Sequence, residues 1–414
     1  MKELNTNNKN VLIISYVFPP TPGIGGRRWA KFAKYLNKKG VKVSVISTKY
    51  EAFGVSTWAK DVEGLDVERI ISSYPKILNQ KPNNFFEKIN YRLQLLRLKL
   101  STKGSYYDKA ILLEKRLKKT ILKTVTEKKI DTIIVSGFPF NLLYFVCKLK
   151  PLLQDIKIIC DLRDPWTWKE TYSLDIMPQF RKDEERRKER FCIETSDVIF
   201  VPTNKMQVDL IVLYPKENTK IIELPHGYDS DEIIDVATKK THNSNKIKFI
   251  NYGTIYINLE NEMKILSDLF SGNVDKCSLD FYTNHNKYIG NFEVKNLVGK
   301  NIFYHSELSE KELYQELLKH NYYLFICPDY GMDNISTKFY EIIYHRIPIV
   351  FIGETGVASQ FIENNNLGIF IHKNDIVNGL QKIINRETKF NYNNSFDVSA
   401  FSFDKLTDKL IEML

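Results

Sequence analysis

Short aliphatic runs alternate along this chain with longer stretches in which apolar and charged residues mix. The runs at 11–15, 41–47, 67–71, 132–135, 156–160 and 198–201 have the length and β-branched content of buried strands. Between them, 27–38, a basic segment that includes 85–100, 142–152 and 180–195 carry apolar residues at helical spacing. Strands alternating with helices imply a parallel, doubly wound sheet, with ligands at the carboxyl ends of its strands. Residues 229–245 then turn polar without a sustained apolar period, as an interdomain connection does. The alternation restarts with strands at 247–252, 278–282, 302–304, 322–327, 349–352 and 368–371, and helices at 260–270, 310–319, from Ser336, at 357–364 and at 376–385. A last helix, 403–414, places Leu406, Leu410 and Leu414 on one stripe. The expected architecture is α/β: a doubly wound, Rossmann-like domain over 1–229, a linker over 230–245, a second over 246–398, and a C-terminal helix over 399–414 packing back on the first domain. Two such domains facing across a cleft would bury a ligand between them.

Composition adds limits. The chain's 414 residues, 43% of them hydrophobic, suffice for two domains with real cores. No run is long and apolar enough to predict a membrane-spanning helix, and the first apolar run is too short for a signal-peptide core. Five cysteines without paired spacing read as reduced core residues, which fits a cytoplasmic protein. The net charge is +10, and residues 76–129 alone hold fifteen Lys and Arg against four Asp and Glu. Such a cluster seeks phosphate, on an anionic membrane face or in nucleic acid. Phe85, Ile89, Leu93, Leu96 and Leu100 follow helical spacing, with Lys88, Arg92 and Lys99 among them. That pattern suits a helix lying in a membrane interface, peripheral on its inner face. It equally suits an ordinary amphipathic helix with its apolar stripe in the core. No nucleic-acid module signature is present, so no nucleic-acid partner is expected.

Four places carry candidate chemistry. The segment Ser336-Thr337-Lys338-Phe339-Tyr340-Glu341 begins a helix that Ser336 or Thr337 can cap. Its free N–H groups, its dipole and Lys338 form an anion site, and Glu341 one turn on can accept hydrogen bonds from a vicinal diol. Phosphate beside ribose is what a nucleotide presents; a surface Lys–Glu pair is the plainer reading. After the first strand, Gly23, Gly25 and Gly26 lead into Arg27 and Arg28. This is not a Gly-x-Gly-x-x-Gly fingerprint, because Arg28 stands where the third glycine belongs and no acidic residue ends the second strand. The arginines suggest contact with an anionic group. The strand 156–160 runs into Asp161-Leu162-Arg163-Asp164-Pro165-Trp166, either an active-site cluster or a self-satisfied ion cluster. The turns at Pro225-His226-Gly227-Tyr228-Asp229 and Gly253-Thr254-Ile255-Tyr256 are further ligand-side loops. The seven histidines show no i, i+3 or i, i+4 pairing, so no metal site is expected, and no nucleophile elbow or phosphate-binding P-loop occurs.

In this order, the segments from Val11 to Trp29, Asp161 to Trp166, Pro225 to Asp229, Gly253-Thr254 and Ser336 to Gly353 resemble the family-4 retaining glycosyltransferases of the GT-B fold, of bacterial surface-glycan type. The resemblance implies transfer of a sugar from a nucleotide-diphosphate donor to a glycan or lipid-linked acceptor with retention, the donor in the C-terminal domain and the acceptor in the N-terminal one. Asp333 and Glu341 match the family's pair of acidic residues, with Asp333 replacing the commoner Glu. Glu341 would hold the ribose. Lys338, with Ser336 and Thr337, would hold the diphosphate beside Gly253, Thr254 and Tyr256. Arg163, Asp161, Asp164 and Lys338 would be catalytic, and Gly25, Gly26, Arg27 and Arg28 would line the phosphates or the acceptor. The family needs no metal or cofactor. Two departures stand out: no Arg and Lys follow the Gly253 turn, and Arg163 stands where relatives often have His. A nucleotide-sugar epimerase of the same shape, or a non-catalytic nucleotide- or glycan-binding subunit, are the alternatives.

Overall fold

The computed structural model describes residues 9–49, 56–169, 173–233, 245–253, 255, 259–283, 288–289, 292–293, 301–328 and 334–414. The chain divides into two compact units, one of Met1–Pro225 with Leu406–Leu414 and one of His226–Lys405.

The first unit is built on a seven-stranded sheet in the order β3-β2-β1-β4-β5-β6-β7, every pairing parallel. Its strands are β1 (Asn10–Ser15), β2 (Lys42–Lys49), β3 (Asp66–Ile71), β4 (Thr132–Gly137), β5 (Lys157–Leu162), β6 (Val198–Val201) and β7 (Ile221–Glu223). Its helices are α1 (Arg27–Lys38), α2 (Phe85–Ser101), α3 (Glu114–Lys128), α4 (Asn141–Cys147), α5 (Gln179–Thr195) and α6 (Asn204–Leu213). The central strands are aliphatic because helices cover both faces of the sheet: Leu12, Ile133, Val135, Ile158 and Ile199 are wholly buried in the main core.

The second unit repeats the plan with six parallel strands in the order β12-β9-β8-β13-β14-β15. These are β8 (Ile247–Tyr252), β9 (Cys277–Tyr282), β12 (Ile302–His305), β13 (Tyr322–Ile326), β14 (Ile349–Gly353) and β15 (Gly368–His372), and a separate hairpin pairs β10 (Tyr288–Ile289) with β11 (Phe292–Glu293). Its helices are α7 (Glu260–Ser271), α8 (Glu310–Leu317), α9 (Thr337–Tyr344), α10 (Val357–Asn364) and α11 (Ile376–Ile384), while α12 (Phe403–Glu412) belongs mostly to the first unit. The end of α12 is fastened inside the first unit, where Lys9 Nζ donates to the Leu414 carbonyl at 2.7 Å and Lys39 pairs with Asp408 at 2.8 Å.

This is the α/β, doubly wound architecture read from the sequence, with differences of detail. The basic stretch holds two helices, α2 and α3, which meet the fold differently. A seventh strand, β7, is only three residues long and too short to stand out as a period. Helix α6 follows the turn at Pro202: Thr203 caps it, its hydroxyl accepting from the Met206 N–H at 3.3 Å. Helix α9 begins at Ser336 as read, but the Ser336 side chain makes no capping hydrogen bond. No described helix is long and apolar enough to cross a membrane.

Candidate functional site

In a doubly wound sheet the chain leaves its first strand in one direction and later returns to the other side, and the crevice opened at that reversal is where ligands settle. The reversal falls between β1 and β4 in the first unit and between β8 and β13 in the second.

At the first reversal, the glycine-containing loop leaves β1 and enters α1. A Cβ on Gly26 would meet the Val17 carbonyl oxygen at 3.0 Å and Phe18 Cα at 3.2 Å, so the chain passes itself too closely there for a side chain. The candidates around this loop bind one another. Asp161 is fully buried; its Oδ2 accepts from Trp29 Nε1 at 2.7 Å and from Ser136 Oγ at 3.0 Å, and its Oδ1 lies 3.3 Å from Arg28 Nη2. Arg28 is buried as well and donates to the carbonyls of Leu224 and Pro225 at 2.7 and 2.9 Å. Asp161 thus joins α1, β4, β5 and the segment after β7 in an internal clasp, through partners that lie outside the Asp161–Asp164 run. Arg27 is buried with its guanidinium over the Trp58 ring. Arg163 and Asp164 stay half-buried at the rim. Arg163 Nε donates to Asp164 at 3.1 Å and Nη1 to the Gly25 carbonyl at 3.0 Å, tying the end of β5 to the glycine loop.

At the second reversal, Gly253 and Lys338, far apart in sequence, meet. Gly253 has φ +99°, and a Cβ there would stand 2.0 Å from Lys338 Nζ. Lys338 Nζ donates to the Tyr252 carbonyl at 2.7 Å and lies 5.3 Å from the centre of the Tyr252 ring. The positive φ calls for glycine, and a side chain there would displace the Lys338 ammonium. Lys338 sits in the first turn of α9, whose leading N–H groups lack intrahelical partners. A cation, a bare turn and a helix start thus converge at the carboxyl edge of β8. Glu341, one turn further along α9, is buried, with 8% of its surface exposed. Asp333, Thr254 and Tyr256 lie outside the described residues.

Sequence reasoning missed a buried network in the first unit. Glu185 accepts from Trp166 Nε1 at 2.9 Å, from the Ser105 N–H at 2.8 Å and from Lys188 Nζ at 2.8 Å. Lys188 also donates to Asn141 Oδ1 at 3.0 Å, and the Asn141 N–H donates to Asp108 at 2.9 Å. Burial, opposed by these N–H bonds, pushes the Asp108 carboxyl up to about 6. The available signal was period: Arg181, Glu185, Lys188 and Cys192 follow an inward helical stripe, and all four are buried.

No protein-family model matches the chain, and no curated protein does. Solved structures do. Anabaena HepE in complex with UDP and glucose aligns over 98% of this chain and 99% of its own, with TM-score 0.62 and 10% identity. The fold is GT-B. Sucrose-phosphate synthase from Thermosynechococcus elongatus matches over 98% and 95% of the two chains, with TM-score 0.58 and 12% identity. A UDP-GlcNAc 2-epimerase from Neisseria meningitidis, bound to UDP-GlcNAc, matches over 97% and 98%, with TM-score 0.55 and 12% identity. At such identities the likeness is one of fold, that of two Rossmann-like domains.

Proposed function

We propose that the protein is a retaining glycosyltransferase that moves a sugar from a nucleotide-diphosphate donor to a glycan or lipid-linked acceptor. The observation that carries this reading is the convergence of Gly253, Lys338 and the start of α9 at the reversal of the second sheet. A diphosphate laid on that turn meets the Lys338 ammonium and the helix N–H groups. When the bond to the sugar breaks, negative charge grows on the departing phosphate. Preset donors offset it without having to reorganise, which is the largest catalytic contribution this arrangement offers. Glu341 would hold the ribose, with Ser336 and Thr337 at the diphosphate and Asp333, Thr254 and Tyr256 completing the donor side. Arg163, with Asp164 and the Gly25–Gly26 loop, would border the acceptor, and Asp161, Arg27 and Arg28 would shape that border from within. No metal is assigned a part. The bound UDP of HepE and UDP-GlcNAc of the meningococcal epimerase support a nucleotide sugar as the substrate class.

The epimerase likeness supports a second reading of the same site. An epimerase needs acid–base groups free to exchange protons at the sugar ring. Asp161 is instead committed to Trp29, Ser136 and Arg28, and so weighs for transfer.

The test is incubation with a panel of nucleotide sugars, following released nucleoside diphosphate. One donor should be hydrolysed slowly without acceptor, and Lys338→Ala should abolish most of that release. Conversion of a donor to its epimer, seen by NMR without acceptor, would replace transfer by epimerisation. Neither release nor thermal stabilisation by any donor would contradict both.

A further inference from the structure

Helix α2 has two apolar faces, and only one is used by the fold. On the inner side Leu98 is 1% exposed and packs with Tyr74 and Tyr106. Arg181 fastens the helix end from below, donating to the carbonyls of Thr102 and Gly104 at 2.9 and 2.7 Å. The outer side is different. At about 100° of rotation per residue, Phe85, Leu96, Ile89, Leu100, Leu93 and Phe86 fall in succession within one sector of about 100°. All six are exposed, Phe86 by 81% and Leu100 by 80%. Lys88, Arg92 and Lys99 border one flank of this sector and Arg97 the other. Glu87, the acidic residue of the first turn, lies on the far side and accepts from the Asn83 N–H at 2.7 Å. Past Arg97, the polar side of α2 (Asn90, Gln94) opens on a groove of about 570 Å³ that Lys76 also lines.

We infer that α2 docks the protein on a lipid bilayer bearing anionic headgroups, with the Phe85–Phe86–Ile89–Leu93–Leu96–Leu100 face at the acyl boundary and its flanking cations at phosphate level. A convex apolar sector edged by long cationic side chains fits a planar interface, because their stems lie along apolar surface while their heads reach the phosphates. Charge complementarity selects the occupant. A second copy docking through this face would bring the Lys88–Arg92–Lys99 flanks of two molecules together, whereas anionic lipid answers them. The rest of the basic segment plays a lesser part. In α3, Leu117 and Ile121 are fully buried, Leu122 and Val125 pack half-buried against the core, and Lys115, Lys118 and Lys119 are exposed.

The experiment is flotation of the full chain with phosphatidylcholine vesicles, with and without phosphatidylglycerol, folding of each variant being checked by circular dichroism. The protein should rise with the anionic vesicles. Phe86→Ser/Leu93→Ser/Leu100→Ser should reduce that binding by about 100-fold, since each loses an anchoring side chain. Lys88→Glu/Arg92→Glu/Lys99→Glu should reduce it by a similar factor. The same charge reversal on α3, Lys115→Glu/Lys118→Glu/Lys119→Glu, should cost about tenfold or less. Equal partition to neutral and anionic vesicles, no flotation, or undiminished binding by the α2 variants would overturn the inference. A solution dimer that the serine variant dissolves would assign the face to a second copy instead.

Discussion

Each unit meets the turn after its first strand with a cation brought from elsewhere in the chain: Arg163 at Gly25 in the first, Lys338 at Gly253 in the second. The surroundings differ. Arg163 is bound to the Asp164 carboxylate and sits beside the Arg28–Asp161 pair, so charge there is met by charge. Lys338 is held to its turn by the Tyr252 carbonyl and lies over the Tyr252 ring. The same topology thus sets a cation against a glycine turn in both halves, through Asp164 and a loop carbonyl in the first and through the Tyr252 carbonyl in the second.

The largest effect that can break this comparison is on stability. Asp161→Ala removes a carboxylate 3.3 Å from the buried Arg28 guanidinium and should cost about 3–5 kcal/mol in chemical denaturation. A folded variant with unchanged stability would remove the clasp. Next, Lys338→Ala and Glu341→Gln should each lower turnover by about 1–3 kcal/mol of transition-state binding while the melting temperature barely moves. Loss of stability with unaltered kinetics would make the second half another clasp. Gly253→Ala forces a side chain onto φ +99° and displaces the Lys338 ammonium. It should weaken nucleoside-diphosphate binding by about 1–2 kcal/mol in calorimetry. The smallest effect is one of pH. The folded-state value of Asp108 lies near 6, above the 3.8 of an unperturbed carboxyl. The folded state therefore holds its proton more tightly, and this contribution, complete below 3.8, is lost as pH rises through about 6. Asp108→Asn should flatten that fall in unfolding free energy, and an identical slope in the variant would remove Asp108 from the network.

Most of the fold was legible because buried parallel strands must be aliphatic and their crossovers amphipathic. Strands β6 and β8 and helices α1 and α10 have the bounds the pattern suggests. What stayed illegible depends on partners distant in sequence. The sequence places Asp161 at the end of a strand, but only the fold shows Trp29 and Ser136 donating to it. Helix α5 was legible as a helix, but that Glu185 and Lys188 lie inside depends on Trp166, Ser105 and Asn141, which are distant in sequence. Helices α2 and α3 look alike as basic amphipathic stretches, yet one buries its apolar stripe and the other shows a second stripe to solvent. The Lys338–Glu341 spacing was visible, but only the fold brings Lys338 onto Gly253.

The most direct measurement is a crystal structure of the protein with a nucleoside diphosphate. The diphosphate should rest on the Gly253 turn, within hydrogen-bond reach of Lys338 Nζ and the first N–H groups of α9. A diphosphate bound instead at the Gly25–Arg163 loop, with the Gly253 turn bare, would contradict the account.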